Sequence, residues 1–210
     1  MARYTGPACR ICRSQGDKLM LKGDKCFTPK CPVEKRHTPP GQHSTSRRKV
    51  KVSEYSLQLR EKQRARSIYG VLERQFKKHF AEAERIPGLS GENLLQILEM
   101  RLDNVVYRLG FADSRRQARQ LVLHGHITVN GHVTDISSYQ VKAGNVISWK
   151  EVSTKLAPYQ VAVKNIESKI IPSWLSLERD TMSGRVLARP SRGDIESTID
   201  ERLIVAFYSR

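Results

Sequence analysis

Acidic side chains are scarce in this chain of 210 residues: 21 Asp and Glu stand against 37 Lys and Arg, a formal charge of +16. So one-sided a balance excludes a self-neutralised surface and points to a polyanionic partner. Long apolar runs are missing as well. No uninterrupted stretch approaches the roughly 18 residues that span a bilayer, and no signal-peptide core is visible, so the expectation is a cytoplasmic chain with no place in a membrane. Also absent are a Gly-rich phosphate loop and a plausible Ser/His/Asp set, which argues against an enzyme and against a small-molecule substrate. Cysteine is confined to four positions, none beyond Cys31. Apolar content is ordinary: 39% hydrophobic against 28% charged residues is the composition of a folded protein.

The positive surplus is uneven. The first 50 residues carry 12 Lys and Arg against 3 Asp and Glu, more than half of the net charge in a quarter of the chain. That segment is the expected polyanion grip, with Arg3, Arg10 and Arg13 among its cations. It also holds all four cysteines, as Cys9-x2-Cys12 and, thirteen residues on, Cys26-x4-Cys31. Two short-spaced thiolate pairs joined by a loop suit a tetrahedral site for structural Zn(II); a [4Fe–4S] cluster is the alternative, since four Cys ligands serve both. Clustered free thiols and a pair of disulfides are the blander readings, and a reducing compartment disfavours the second. With few large apolar residues nearby (Ile11, Leu19, Met20, Leu21, Phe27, Val33), a metal clip would supply the core the segment lacks.

A Pro/Gly/Ser-rich link follows, from His37 through His43 to Lys51, and its cations Arg47, Arg48, Lys49 and Lys51 are read as phosphate contacts rather than as a merely solvated run. His37 and His43 are read as non-ligands. From Ser53 apolar residues recur every three or four positions (Ile68/Tyr69, Leu72, Phe76, Phe80, Ala83) with no proline until Pro87, which predicts helices. Arg60, Lys62, Arg64 and Arg66 crowd one stretch of them, either as a solvated face or as a surface laid against RNA.

Local signals agree best between Ser90 and Trp149. Ser90 is placed to cap a helix with the stripe Leu94, Leu98, Leu102, Val105/Val106 and Leu109, stopped by Gly110. Ser114-Arg-Arg-Gln117 reads as a capping box opening a second helix, ended by Gly125. Ile127-Thr-Val129, Asn130-Gly131 and His132-Val-Thr134 spell a hairpin with a type I′ turn, and Val146-Ile-Ser-Trp149 a further strand. The second helix carries Arg115, Arg116 and Arg119 beside the amides that follow Ser114, with His124 and His126 just beyond its end; that ridge is the predicted RNA contact.

Arg101-Leu-Asp-Asn-Val-Val-Tyr-Arg-Leu-Gly-Phe111, Ser114 to Val122 and Ile127-Thr-Val-Asn-Gly131 resemble the RNA-binding module of the universal small-subunit ribosomal protein four family. The opening Met-Ala-Arg-Tyr-Thr-Gly-Pro7, Pro40-Gly-Gln-His43, Gln58 to Gln63, Tyr69 to Phe76 and Leu203 to Arg210 extend the resemblance over nearly the whole chain. It implies an α+β protein: a four-cysteine metal-clipped basic extension (1–45), a helical domain (46–91, completed by 183–210) and an inserted compact RNA-binding module of helices packed on an antiparallel sheet (92–182). It further implies a structural, non-enzymatic constituent of the small ribosomal subunit. Such a protein binds the subunit's ribosomal RNA, nucleates assembly of the body, lies near the messenger entry path and contributes to translational accuracy. Ribosomal protein five of the same subunit is the implied neighbour, and repression of its own operon through messenger binding is a further implied role.

The same module occurs in RNA-modifying enzymes, and Arg101-Leu102-Asp103 resembles the catalytic triplet of pseudouridine synthases. In those enzymes, however, the triplet follows the module in a separate domain, whereas here it precedes the capping-box helix on an apolar stripe. Asp103 is therefore read as structural, and the roughly sixty residues after Trp149, broken by Pro158, Pro172 and Pro190, are too few for a catalytic domain. A zinc-finger transcription factor would need a recognition helix beside the cysteines, which Pro29, Pro32, Pro39 and Pro40 oppose.

Overall fold

The computed structural model describes residues 4–36, 38–41, 51–195 and 198–209. It divides into two compact units: Met1–Asn93 with Ser197–Arg210, and Leu94–Glu196.

In the first unit, helix α1 (Ala8–Gln15), a 3-10 turn at Gly23–Cys26 and the short α2 (Pro32–Lys35) carry the cysteines, followed by α3 (Glu54–Tyr69), α4 (Glu73–Arg85) and the returning α9 (Glu201–Tyr208). Ser53 caps α3 by accepting from the Ser56 amide, and Gly70, at φ 63°, ends it. α9 lies along α3, and of the stripe foreseen in the sequence Ile68, Tyr69, Phe76, Phe80 and Ala83 are buried, whereas Leu72, at the N-cap of α4, is exposed; Ala65 joins the core as well. The cysteine segment is part of this unit rather than a separate extension: Arg64 on α3 pairs with Asp17 at 3.0 Å.

Helix α5 (Ser90–Glu99) spans the boundary, and the second unit continues with α6 (Leu102–Arg108) and α7 (Arg115–Leu123). Its sheet is antiparallel and five-stranded, ordered β2-β1-β3-β5-β4, from β1 (Ile127–Val129), β2 (His132–Val133), β3 (Val146–Trp149), β4 (Leu175–Glu178) and β5 (Ser183–Val186). α8 (Ala157–Asn165) lies between β3 and β4 in sequence. One apolar cluster joins Leu102, Val106, Leu109 and Phe111 to Ala118, Val122, Ile127, Ile147 and Trp149. Each fully buried Leu, Ile or Phe contributes on the order of 1.5–3 kcal/mol, so this cluster dominates the unit's stability. Gly184 lets Leu109, at the end of α6, pack closely on the sheet: a Cβ there would overlap the Leu109 methyl groups unless that side chain shifted.

Several expectations hold and three change. Asn130 (φ 50°) and Gly131 (φ 81°) make the foreseen tight turn, and the Asn130 side chain accepts from the Val146 amide at 2.8 Å. The long helix expected from Ser90 to Gly110 is instead two. Arg101 is extended (ψ 138°) and bridges Gln140, while the amides of Leu102 and Val141 bond to Tyr139 and Met100 carbonyls; the 137–141 loop captures the backbone that a continuous helix would need. Ser114 caps α7 as expected, but the Gln117 side chain reaches back to the Asp113 amide, one residue earlier than a capping box. Residues 183–186 are not part of the return to the helical unit, because β5 pairs with both β3 and β4 inside the module's sheet.

Candidate nucleic-acid interface

The predicted contacts differ in how their charge is held. Arg3, Arg47, Arg48 and Lys49 lie outside the described residues. Arg10, Lys51 and Arg60 are exposed. Arg13 is half-buried and spends its guanidinium on backbone, donating to the Thr38 carbonyl at 2.9 and 3.1 Å and to that of Pro39 at 3.1 Å. Arg64 links Asp17 to Glu61, and Arg66 pairs with Glu73 at 3.3 Å.

Lys62 departs from expectation and leaves the set of surface contacts. It is 5% exposed, its Nζ donates to Glu73 Oε1 at 2.7 Å, and it stands 4.5 Å from the Phe207 ring centre and 5.8 Å from that of Tyr208. Tyr208 donates to the same Glu73 oxygen at 3.0 Å and stacks on Phe80 at 4.5 Å. Burial and the adjacent Glu73 carboxylate push the Tyr208 hydroxyl well above its ordinary value. For Glu73, burial works upward but is outweighed by the hydrogen bonds from Lys62 and Tyr208, which hold the carboxyl below its usual range. This is an internal latch between α3, α4 and α9, not a site for phosphate.

In the second unit the ridge is present. Ser114 is buried as a cap, Arg115, Arg116 and Arg119 are half-buried along α7, and His124 is exposed beyond its end. Two residues on, the His126 Nδ1 lies 3.0 Å from Ser153 Oγ, and burial, with His124 and Lys150 adding, lowers its pKa. The arginines rest on carboxylates and an amide that sequence reasoning passed over or read as merely structural. Arg119 donates to Asp103 Oδ2 from Nε and Nη2 at 2.9 and 2.6 Å, and Arg101 donates to the same carboxylate at 3.1 and 2.9 Å. Arg115 donates to Asn104 Oδ1 at 2.7 Å and lies 4.7 Å over the Tyr107 ring. Glu99, fully buried, holds Arg108 at 2.8 and 3.0 Å and Asn104 at 2.6 Å. Their spacing along the chain carries no helical pairing signal, because the break at Arg101 brings them together. A second omission had a signal: Arg74, Lys77 and Lys78 recur at helical spacing and are exposed on α4.

The four cysteines are free thiols lining one small cavity with Ala8 and Leu21. Cys12, Cys26 and Cys31 are buried and Cys9 is half-buried. The Lys22 amide donates to Cys26 Sγ at 3.4 Å; burial pushes the Cys12 thiol up, against the pull of the Leu19 backbone and with the other three sulfurs adding to the rise. Among the described residues no group of three or more His, Cys, Asp or Glu side chains is drawn together as a metal-holding set. No helix of the described residues is long and apolar enough to cross a membrane.

A cationic helix set on a small α+β module, in a chain whose helical unit exposes Arg74, Lys77 and Lys78 on α4, defines a protein built to lie on a polyanion. Family models sharpen that class: residues 3–99 match the ribosomal protein S4/S9 N-terminal domain, and residues 100–147 match the S4 domain. The chain is 55% identical to "Small ribosomal subunit protein uS4" of Heliobacterium modesticaldum, 54% to that of Geobacter sp. strain M21 and 55% to that of Dictyoglomus turgidum, each over 210 residues and the full length of both chains. The chain therefore belongs to the uS4 family of small ribosomal subunit proteins.

Proposed function

We infer that this protein is a structural, non-enzymatic constituent of the small ribosomal subunit, working in the cytoplasm and binding the subunit's ribosomal RNA directly. The observation that carries this is the full-length likeness to ribosomal proteins, which accounts for both units. The α7 ridge supplies the physical means, since fixed guanidinium groups and the first amides of a helix both favour phosphate. The alternative of a pseudouridine synthase-like enzyme is set aside. Asp103, the would-be catalytic group, is 3% exposed and occupied by Arg101 and Arg119.

On the same basis the finer roles are proposed: nucleation of the subunit's body, contact with ribosomal protein five, a position near the messenger entry path with a share in decoding accuracy, and repression of its own operon. Filter binding to small-subunit ribosomal RNA, against an unrelated RNA of equal length over a salt series, tests the central reading. Discrimination persisting at moderate salt is expected; equal binding that vanishes together as salt rises would sink it.

Zn(II) at Cys9, Cys12, Cys26 and Cys31 is also proposed, with a [4Fe–4S] cluster as the alternative. The support is four free sulfurs lining one cavity, with a backbone amide already donating to that of Cys26. Bound there, the metal would clip α1 to the 3-10 turn and supply structure rather than reactivity. Metal analysis of the purified chain is expected to find one zinc and no iron per molecule, and a chelator should lower the melting temperature. Protein free of metal with unchanged melting would overturn this.

A further inference from the structure

We propose that Asp103 and Glu99, two buried carboxylates that do not themselves meet RNA, are positioning residues that set Arg119 and Arg115 in the orientation with which α7 grips the RNA backbone. The inference rests on the reading that α7 faces RNA. Both acids are almost wholly enclosed, Glu99 at 0% and Asp103 at 3% exposure. Enclosing charged groups is costly, and a whole buried ion pair can often be exchanged for apolar side chains of similar volume without loss of stability, so a purely stabilising role is a weak account of them. Their geometry gives a better one. Asp103 takes Arg119 by its Nε edge and, on the other side, Arg101 from the break between α5 and α6, so the carboxylate itself cannot turn. Glu99 acts one step removed: it fixes the Asn104 amide, whose oxygen then accepts from Arg115 Nε, while the Tyr107 ring carries the same guanidinium. A guanidinium is a rigid planar fork, so gripping one edge fixes the direction of every remaining N–H. An arginine so held surrenders less rotamer freedom on binding than a free one.

The test uses the full chain, filter binding to small-subunit ribosomal RNA and to an unrelated RNA over a salt series, and melting curves for every variant. Arg119→Ala first checks the underlying reading. It should weaken specific binding about tenfold and reduce the salt slope by about one. If it binds as wild type, α7 does not face RNA. With that effect established, Asp103→Asn separates position from charge. It raises the net charge, so a purely electrostatic role predicts tighter binding to both RNAs; positioning predicts several-fold weaker specific binding, and almost no further loss when combined with Arg119→Ala. Arg119→Lys keeps the charge but loses the fork, and is expected to bind within about threefold of Arg119→Ala. It decides alone if Asp103→Asn fails to fold. Unchanged or tighter specific binding by Asp103→Asn, or wild-type binding by Arg119→Lys, overturns the proposal.

Discussion

The two units treat positive charge in opposite ways. The helical unit takes one lysine inside and closes over it: Lys62 is held by Glu73 and capped by Phe207 and Tyr208. The module buries Glu99 and Asp103 instead, and stands Arg108 and Arg119 on them nearer the surface, with Arg101 enclosed beside Asp103. In the first case the carboxylate is the more exposed partner, in the second the guanidinium is. A cation on a helix is thus no guide to its role until the position of its counter-ion is known. A +16 chain contains cations that bind outward and others that bind the protein to itself.

The comparison can be broken at several points. The largest expected effect is on the module's packing: Leu109→Ala, at a fully buried position against Gly184, should cost about 3 kcal/mol in thermal or urea unfolding. A cost below about 1 kcal/mol would mean that the sheet and α6 are not one core. Next comes Lys62→Ala, expected to lose about 1–3 kcal/mol, less than for a fully buried ion pair because Glu73 is partly solvated. Its salt slope for RNA binding should match wild type; a slope lower by about one would place Lys62 on phosphate and erase the contrast. Tyr208→Phe removes one hydrogen bond to Glu73 while keeping the ring on Phe80, and should cost about 1 kcal/mol or less by the same unfolding assay. The smallest effect concerns pH. His126 has a folded pKa below its ordinary 6.5, so the folded state takes up its proton later than the unfolded one does. Stability should therefore fall slightly as pH drops through and just below 6.5, then level off, and His126→Gln should flatten that decline in melting temperature.

Much of this was legible because it is local. The Asn130-Gly131 turn, the Ser114 cap and the apolar stripe of α3 and α4 depend on residues a few positions apart, and sequence spacing exposes them. What was hidden depends on chain crossings. Lys62 looked like its neighbours Arg60, Arg64 and Arg66, and only the arrival of Phe207 and Tyr208 from the far end of the chain sets it apart. Asp103 was recognised as structural, yet its partner Arg119 is sixteen residues away on another helix. β4 and β5 escaped because Leu175–Glu178 and Ser183–Val186 are short and gain their meaning from β3. The cysteine spacing brings four thiols to one cavity, but among the described residues they are not drawn together as a metal-holding set.

The latch has a consequence for the order of events during synthesis. The module is a single uninterrupted stretch, complete once Glu196 has been added, so it can fold while later residues are still being made. The helical unit begins earlier but finishes later: Glu61 receives the Asp200 amide, and Glu73 receives the Tyr208 hydroxyl 135 residues downstream. Until those last turns emerge, a nascent chain holds Lys62 and the Phe76–Phe80 face without their cover. The half that starts first is therefore the half that closes last.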